Sequence, residues 1–338
     1  MVIDVSLAAN SYQIHIEKGS LNHIGDYFSI DRKVLIVSDD LIPNEYVLTV
    51  LSQLKDGHVL RFPHGEANKN MEVYQKILSF LSENHFSRGD VVIALGGGLT
   101  GDLAGFAAST YMRGIDFYII PTSLLSQVDA SVGGKVAVNY GSIKNLVGAF
   151  YQPKGVLIDV NTLDSLDDRL FNEGLAEVIK MAATSDKELF EYLEKIDNPR
   201  ENIQEIIYRA LKIKADVVMK DEKESNLRRV LNFGHTLGHA IEAKGEGKYF
   251  HGEAVAIGML YFSQGEAKNR IQKLLEKYHL PTKNPYSIQE LQGYLLLDKK
   301  SEGEKITIVE VKEIGQFELN KITYEELIKR LEASENEK

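Results

Sequence analysis

The sequence predicts an α/β fold in which a Rossmann-like domain built on a parallel sheet precedes a mostly α-helical domain. Short apolar strands alternate with helices up to about residue 160, a pattern typical of a parallel sheet covered by helices on both faces. Near Asp159–Leu166 the pattern changes to long helices, and no strand is predicted for well over a hundred residues. We therefore expect two domains, at residues 1–160 and 161–338.

Composition excludes several classes of protein. The 338 residues are 43% hydrophobic, which is enough for two cores. The sequence contains no cysteine, so disulfides and thiolate metal sites are excluded and a reducing cytoplasm is the natural setting. We expect no secretion signal, because the N-terminus has no basic leader followed by an apolar run, and no membrane span, because no apolar run is long enough. The net charge of −10 argues against nucleic-acid binding, although a locally basic pocket could still bind an anionic small molecule.

The elements of the first domain follow from apolar runs and turn residues. The predicted strands are Val2–Leu7, Tyr12–Glu17, Lys33–Asp39, His58–Phe62, Asp90–Leu95 and a strand that ends at Pro121. The predicted helices are Leu21–Phe28, Asn44–Leu54, Met71–Asn84 and Leu103–Thr110, and a polar loop lies at Gly65–Lys69.

A glycine-rich run, Gly96–Asp102, lies between a predicted strand and a predicted helix. In this context backbone amides and a helix N-terminus can hold a pyrophosphate. The run fits G-x-G-x-x-G, but the acid that would hold a ribose, Asp39, precedes the glycines instead of following them by about 20 residues. A tight turn without a ligand is the alternative.

Polar residues also gather after the strand that ends at Pro121. Asp129 and Lys135 flank Gly133-Gly134, and Lys144-Asn145 follows. Isolated charged residues in loops are usually solvated, but this density among apolar neighbours indicates a cleft.

The second domain is predicted to be helical, with a break at Asn198-Pro199 before a helix at Ile203–Lys220. Lys305–Leu319 predicts a hairpin that turns at Glu313–Gly315. A closing helix at Tyr324–Leu331 and a frayed tail at Glu332–Lys338 complete the prediction.

Three histidines in this domain suggest a metal site. His235 and His239 lie four residues apart on a predicted helix, so they share one face, and His251 opens another apolar helix. Histidines of the core or surface are the alternative. The spacing is not HExxH, which disfavours metalloprotease chemistry. The best carboxylate to complete a zinc site is Glu177, an acid flanked by apolar residues.

Long stretches of the sequence resemble the 3-dehydroquinate synthase family, from about Asp39 to Lys300. The stretches that carry the resemblance are Gly65-Glu66 with Lys69, GGGLTGD, YMRGIDFYIIPTSLLSQVDASVGGKVAVN, KNLVGAF, EGLAEVIK, DEKESNLRRVLNFGHTLGHAIE, HGEAVAIGM and Leu297–Lys300.

The resemblance implies a lyase of the shikimate pathway that acts in the cytoplasm as a homodimer. Its substrate is an anionic sugar phosphate, 3-deoxy-D-arabino-heptulosonate 7-phosphate. In this family the substrate is oxidised by NAD, loses phosphate, is reduced again, and opens and closes into a carbocycle. The implied cofactors are NAD and Zn²⁺, with Co²⁺ as an alternative.

The resemblance also assigns roles to individual residues. The implied metal ligands are Glu177, His235 and His251, whereas His239 faces the substrate and relays protons. The implied substrate-binding cations are Lys135, Lys180, Lys214, Arg228, either Lys299 or Lys300, and Arg113 contributed across a dimer. Further implied substrate contacts are Asp129, Asn145 and Asn232. Glu224 is implied as a proton acceptor, and the implied catalytic set is His239, Glu224, Lys135, Asn145 and Lys180.

The resemblance places NAD on a third set of residues. Asp39 contacts the ribose, Glu66 and Lys69 form a nucleotide-contacting loop, and Gly97, Gly98 and Asp102 hold the pyrophosphate and ribose region. Further contacts are Thr122, Ser123, Asp129, Lys144, Thr162 and Ser165. The sequence departs from the family at Leu99-Thr100 and at Ser142-Ile143, but neither departure removes a functional group.

Two related enzymes are alternatives. Another sugar phosphate cyclase, making an inosose or a valiolone, would keep the NAD loop and the zinc ligands but change the groups that bind the carboxylate. A metal-dependent polyol dehydrogenase would release NADH and would not need so many cations. A metal- or nucleotide-binding regulator would not need both sites.

Overall fold

The computed structural model describes residues 1–141, 143–302 and 305–336, with the side chains of residues 297–302 and 336 excepted. The chain divides into two compact units, Met1–Asp167 and Asp168–Lys338.

The first unit contains nine described strands. They are β1 (Val2–Val5), β2 (Tyr12–Ile16), β3 (Lys33–Asp39), β4 (Asp56–Phe62), β5 (Val91–Gly96), β6 (Asp116–Pro121), β7 (Lys135–Tyr140), β8 (Ile143–Phe150) and β9 (Gly155–Ile158). Seven of them form one sheet in the order β1-β2-β9-β6-β5-β3-β4. Only the edge pair β1–β2 of this sheet is antiparallel, and the other neighbours are parallel.

Both faces of this sheet are buried. Val34 and Ile36 of β3 belong to one core cluster with Val47 and Val50 of the helix α1 (Asn44–Leu51). Leu35, between them, points to the opposite face and is also fully buried. The apolar runs of the central strands, which do not alternate with polar residues, follow from this double burial and confirm the predicted fold class.

Two further helices of the first unit are α2 (Met71–Glu83) and α3 (Gly98–Thr110). Asn70 caps α2 by accepting hydrogen bonds from the backbone N–H groups of Glu72 (2.9 Å) and Val73 (3.0 Å). α3 begins at Gly98, not at Leu103 as predicted. Glycine disfavours helices, but a Cβ at Gly98 would lie 3.0 Å from that of Ala130, so a small residue is required there.

The second unit is mostly helical. Its elements are α4 (Asp168–Ser185), α5 (Lys187–Lys195), α6 (Ile203–Lys220), α7 (His235–Gly245), α8 (His251–Tyr261), α9 (Gly265–Lys277), α10 (Ile288–Glu302), β10 (Lys305–Glu310), β11 (Glu318–Thr323) and α11 (Tyr324–Asn336). The strands β10 and β11 form the predicted hairpin. No helix in the described part of the chain is both long and apolar enough to cross a bilayer.

Three further features of local structure differ from what the sequence analysis described. The polar stretch after Gly134 is an antiparallel hairpin, β7–β8, in which Val136 and Val138 are buried. The predicted helix Leu21–Phe28 is instead an irregular 3₁₀ segment at Ser20–Asp26, since His23 leaves the helical region. The tail is not frayed from Glu332, because α11 continues to Asn336. Its ion pairs Glu325–Lys329 and Glu326–Arg330 have the i, i+4 spacing that supports helix.

Helix α8 packs closely against α4 and against the residue that precedes α7. All its residues from Gly252 to Tyr261 are buried. A Cβ at Gly252 would lie 2.0 Å from the carbonyl oxygen of Glu173 in α4, and one at Gly258 would lie 2.0 Å from that of Gly234, which precedes α7. The glycines therefore let α4, α7 and α8 approach each other closely, and these helices carry Glu177 and the three histidines.

Candidate metal centre and nucleotide-binding loops

The three predicted histidines lie together in the second unit. Their ring centroids are 5.2 Å apart for His235–His239, 5.1 Å for His235–His251 and 5.7 Å for His239–His251. Each offers a ring nitrogen within 4.8 Å of the others, so the group could hold a metal ion. His235 is buried, His251 is half-buried and His239 is exposed.

Glu177 of α4 adds a carboxylate to this cluster. It is 0% exposed, and its Oε1 lies 3.8 Å from Nε2 of His235 and 3.5 Å from Nε2 of His251. Among the described residues, Glu177 Oε1 has no hydrogen-bond partner. Two donors that are each about 2.1 Å from a tetrahedral zinc ion lie about 3.4 Å apart. The spacing therefore suits donors to one ion, and this N,N,O set fits zinc or cobalt.

The second nitrogen of each of these two rings has its own acceptor. His235 Nδ1 lies 3.2 Å from the Phe233 carbonyl oxygen, and His251 Nδ1 lies 3.0 Å from Glu242 Oε2. These contacts fix the rings so that each Nε2 points toward Glu177. Sequence reasoning missed Glu242, although its position seven residues after His235 places it on the same helical face.

The buried charges around Glu177 shift several pKa values. Burial opposes ionisation of Glu177, but Lys180, its ion-pair partner, and His235 hold its pKa well below the ordinary value. Burial and the neighbouring Lys180 lower the pKa of His235. For His251 burial is outweighed by the carboxylates of Glu177 and Glu242, which raise its pKa to about 10. Burial raises the pKa of Glu173 to about 7. The anion of the cluster is therefore Glu177 and its cation is His251. A metal ion that bound the ring of His251 would have to displace a proton from it.

Several predicted substrate-binding cations of this unit are buried. Lys180 is 1% exposed, Lys214 is 5% exposed and Arg228 is 3% exposed. Arg228 donates from Nη1 to the Glu222 carbonyl oxygen at 2.6 Å. The side chains of Lys299 and Lys300 lie outside the described part of the structure.

The predicted acid Glu224 lies on a loop that Asp221 organises. Asp221 accepts from Ser225 N (2.8 Å), Ser225 Oγ (2.9 Å), Asn226 N (2.7 Å) and Arg228 N (3.0 Å). Although burial opposes it, these hydrogen bonds hold the pKa of Asp221 well below its ordinary value. Glu224 has a left-handed backbone (φ 59°) and accepts from Asn232 Nδ2 at 3.0 Å. Asp221 was missed in the sequence because its partners are set by the folded loop.

In the first unit, Lys69 joins two of the predicted ligand-binding residues. Its ammonium group contacts the carboxylate of Asp102 and the side-chain oxygen of Asn145, and it is 5% exposed. Asp39 lies at the end of β3, and its Oδ2 accepts from Thr100 Oγ1 at 3.0 Å. Side-chain contacts therefore connect the glycine-rich run and the loop before α2 to residues that the resemblance assigns to the nucleotide or to the substrate.

The remaining residues predicted to contact NAD or substrate have varied surroundings. Thr122 is buried, and its N–H donates to the Gly96 carbonyl at 3.0 Å. Ser123 Oγ lies 2.9 Å from Ser126 Oγ. Thr162 Oγ1 donates to the Asp159 carbonyl (2.7 Å), and Ser165 Oγ donates to that of Thr162 (3.0 Å). Asp129 is half-buried, as are Gly97 and Gly98, whereas Arg113, Lys135 and Lys144 are exposed.

Comparisons with known proteins agree with the resemblance. The family models described as 3-dehydroquinate synthase N-terminal and C-terminal match residues 59–173 and 174–301. The curated 3-dehydroquinate synthase of Streptococcus suis (strain 05ZYH33) is 44% identical, and the alignment covers 98% of this chain and 100% of that protein.

Two solved structures have a similar fold. One is 2-epi-5-epi-valiolone synthase (ValA) from Streptomyces hygroscopicus subsp. jinggangensis 5008 with NAD⁺ and Zn²⁺ bound. It has a TM-score of 0.87 and 25% identity, covering 98% of this chain and 99% of that one. The other is 2-deoxy-scyllo-inosose synthase with carbaglucose-6-phosphate, NAD⁺ and Co²⁺, with a TM-score of 0.88 and 24% identity, covering 98% and 100%. The two family-model matches and the identity over nearly the full length lead to one conclusion: the chain belongs to the 3-dehydroquinate synthase family.

Proposed function

We propose that this chain catalyses the reaction of its family, with the residue roles given below. The reaction converts 3-deoxy-D-arabino-heptulosonate 7-phosphate into 3-dehydroquinate and phosphate, using catalytic NAD and a divalent metal. It is a step of the shikimate pathway toward chorismate and the aromatic amino acids. The enzyme is a lyase, because phosphate is eliminated and the hydride removed from the substrate is returned to it.

One observation carries the proposal beyond family membership. The buried Glu177 carboxylate faces the Nε2 atoms of His235 and His251, and Glu177 Oε1 has no hydrogen-bond partner in the described structure. Lys180 already pairs with this carboxylate, and an ion held between Glu177 Oε1 and the two Nε2 atoms would compensate its buried charge further. Glu177, His235 and His251 are therefore the proposed ligands of zinc, with cobalt as an alternative. The valiolone synthase that resembles this chain was solved with NAD⁺ and Zn²⁺, which supports the same pair of cofactors.

The proposed chemistry divides between cofactors and residues. Bound zinc supplies a Lewis acid that lowers the pKa of a coordinated hydroxyl, and bound NAD supplies a hydride acceptor. His239 is exposed beside the buried His235 and the half-buried His251, so it is the proposed group that exchanges a proton with a substrate hydroxyl. Glu224, oriented by Asn232, is the proposed proton acceptor.

The substrate carries a carboxylate and a phosphate, so its site needs cations. The second unit buries Lys180, Lys214 and Arg228 in a chain whose net charge is −10. Ammonium and guanidinium groups form strong charge-assisted hydrogen bonds with carboxylates and phosphates. The proposed substrate contacts are Lys180, Lys214, Arg228, Asn232, His239, Asp129, Lys135, Asn145, Lys300 and, from a second copy, Arg113. The NAD contacts proposed are Asp39, Glu66, Lys69, Gly97, Gly98, Asp102, Thr122, Ser123, Asp129, Lys144, Thr162 and Ser165.

The proposed assembly is a homodimer in the cytoplasm. The large apolar side chains that the first unit exposes include five that are 43–59% exposed, Met112, Tyr140, Ile143, Leu146 and Phe150. Exposed apolar side chains of this size favour association. Four of the five lie on or beside β7 and β8, so the hairpin is the proposed contact with the second copy.

A substrate comparison tests the proposed function. The protein is loaded with zinc and saturating NAD and given either the heptulosonate phosphate or a hexose 6-phosphate, which lacks the carboxylate. We expect phosphate and the cyclic product to form in equal amounts from the first and not from the second. Phosphate release from the hexose phosphate alone would favour another sugar phosphate cyclase. Oxidation of a neutral polyol supplied in a third arm, with no phosphate release in the first two, would favour a dehydrogenase.

A further inference from the structure

Asn139 of β7 connects two segments that carry proposed ligand contacts. Its side-chain Nδ2 donates to Glu66 Oε1 at 2.8 Å, and its Oδ1 accepts from the backbone N–H of Asn145 at 2.8 Å. Its own backbone N–H donates to the Lys69 carbonyl oxygen, also at 2.8 Å. One side chain thus uses both its donor and its acceptor to join the loop before α2 to the hairpin β7–β8.

Lys69 makes a second connection between the loop before α2 and the hairpin β7–β8. The ammonium group of Lys69 contacts the side-chain oxygen of Asn145 and the carboxylate of Asp102 in α3. Asn145 has a φ of 54°, in the left-handed region that residues with a Cβ seldom adopt. The contacts from Asn139 and Lys69 hold its backbone and its side chain in that conformation.

We propose that Asn139 is a positioning residue that aligns Glu66 for NAD and Asn145 for the substrate. The proposal rests on the proposed function, which assigns Glu66 and Lys69 to the nucleotide and Asn145 to the substrate. Asn139 is not itself among the proposed ligand contacts. It acts by orienting the carboxylate of Glu66 and by holding the backbone of Asn145, which has a positive φ.

Two substitutions separate these two effects. Asn139→Asp keeps an acceptor for the Asn145 N–H but replaces the donor facing Glu66 with a carboxylate oxygen, so the two acids repel each other. Asn139→Ala removes both contacts. We expect N139D to weaken NAD binding about tenfold and to change the affinity for a phosphonate analogue of the substrate by less than about threefold. N139A should weaken both.

Exchanging the donor and the acceptor between positions 66 and 139 distinguishes a loss of this contact from a general loss of structure. In a Glu66→Gln background the amide of the new side chain can donate to the carboxylate introduced by N139D. The weakening of NAD binding caused by N139D should therefore shrink at least about threefold in this background, as a double-mutant cycle measures. Asn22→Ala, which removes an exposed asparagine whose side chain donates to the Gly19 carbonyl at 3.0 Å, is the matched control and should leave NAD binding unchanged.

Calorimetric titration of zinc-loaded protein with NAD, and with the analogue in the presence of NAD, measures these affinities. A thermal midpoint is recorded for each variant. If wild type binds NAD and N139D binds it equally well, or if N139D weakens NAD equally in both backgrounds, the positioning role is wrong. If wild type itself does not bind NAD, the proposed function fails instead.

Discussion

At the scale of single residues, the proposed function depends on which side chains around Glu177 bind the metal. We expect Glu177→Ala and His251→Ala to purify without zinc, because each removes a donor from one small cluster. His239→Ala should keep zinc and lower turnover by about 10²- to 10⁴-fold, the usual contribution of a positioned proton-transfer group. Metal analysis of the purified variants, together with turnover, measures both. Loss of zinc from the His239 variant as complete as that from the His251 variant would contradict the assignment.

Glu242 offers a graded version of the same test. It does not face the proposed ion but contacts His251 Nδ1 at 3.0 Å, so it orients a ligand. Glu242→Ala should weaken zinc binding by about 10- to 100-fold, the range for residues that orient ligands, without abolishing it. Competition with a chelator gives the affinity. An unchanged affinity would show that this contact does not orient His251.

Asp221 gives a prediction about pH. Its folded-state pKa lies below the ordinary value of 3.8, so its contribution to stability is complete above about pH 5 and is lost as pH falls through the folded-state pKa. Asp221→Asn should lower the free energy of unfolding by about 1.5–3 kcal/mol at pH 7, because charged acceptors are lost. Urea unfolding of both proteins between pH 3 and 8 should show the difference shrinking below about pH 4. A difference that is constant across this range would mean that the charge of Asp221 does not stabilise the loop.

At the scale of elements, the close contact between α4 and α8 determines where His251 lies. Gly252→Ala places a methyl group 2.0 Å from the Glu173 carbonyl oxygen, so the helices must move apart. We expect a loss of stability of about 1–3 kcal/mol, as for other overpacked sites, and weaker zinc binding. Gly293→Ala in α10 is the control, since nothing lies within 4 Å of the new methyl group. This control should be neutral or stabilise by up to about 1 kcal/mol. Equal stability and zinc affinity in the two variants would refute the argument.

The sequence predicted the elements whose side chains alternate or repeat strongly. Fully apolar runs such as Val91–Leu95 predicted buried parallel strands, and the histidine spacing placed His235 and His239 on one face. The hairpin β7–β8 was missed because its lysines and asparagines looked like a polar loop. Asn139, Asp221 and Glu242 were missed for a different reason. Their partners are brought near them by the tertiary fold, and no spacing along the chain predicts a hydrogen bond from Asn139 to Glu66.

At the scale of the whole molecule, the proposed homodimer rests on the apolar side chains exposed around β7 and β8. Leu146→Glu places a charge where a leucine is 54% exposed, and it should convert the dimer to a monomer at micromolar concentration. Leu48→Glu is the control, because Leu48 is 53% exposed but lies on α1. Sedimentation equilibrium distinguishes the two states. A dimer that persists in the Leu146 variant but dissociates in the Leu48 variant would move the contact to another surface.

The central claim is that the hydride taken from the substrate returns to it within one turnover. The direct measurement supplies the zinc-loaded enzyme with the heptulosonate phosphate and about one hundredth as much NAD, and follows phosphate release and NADH absorbance together. We predict that all the substrate is converted, that one phosphate is released for each molecule, and that NADH does not accumulate. Conversion that stops after one product for each NAD, with NADH rising in step, would contradict it.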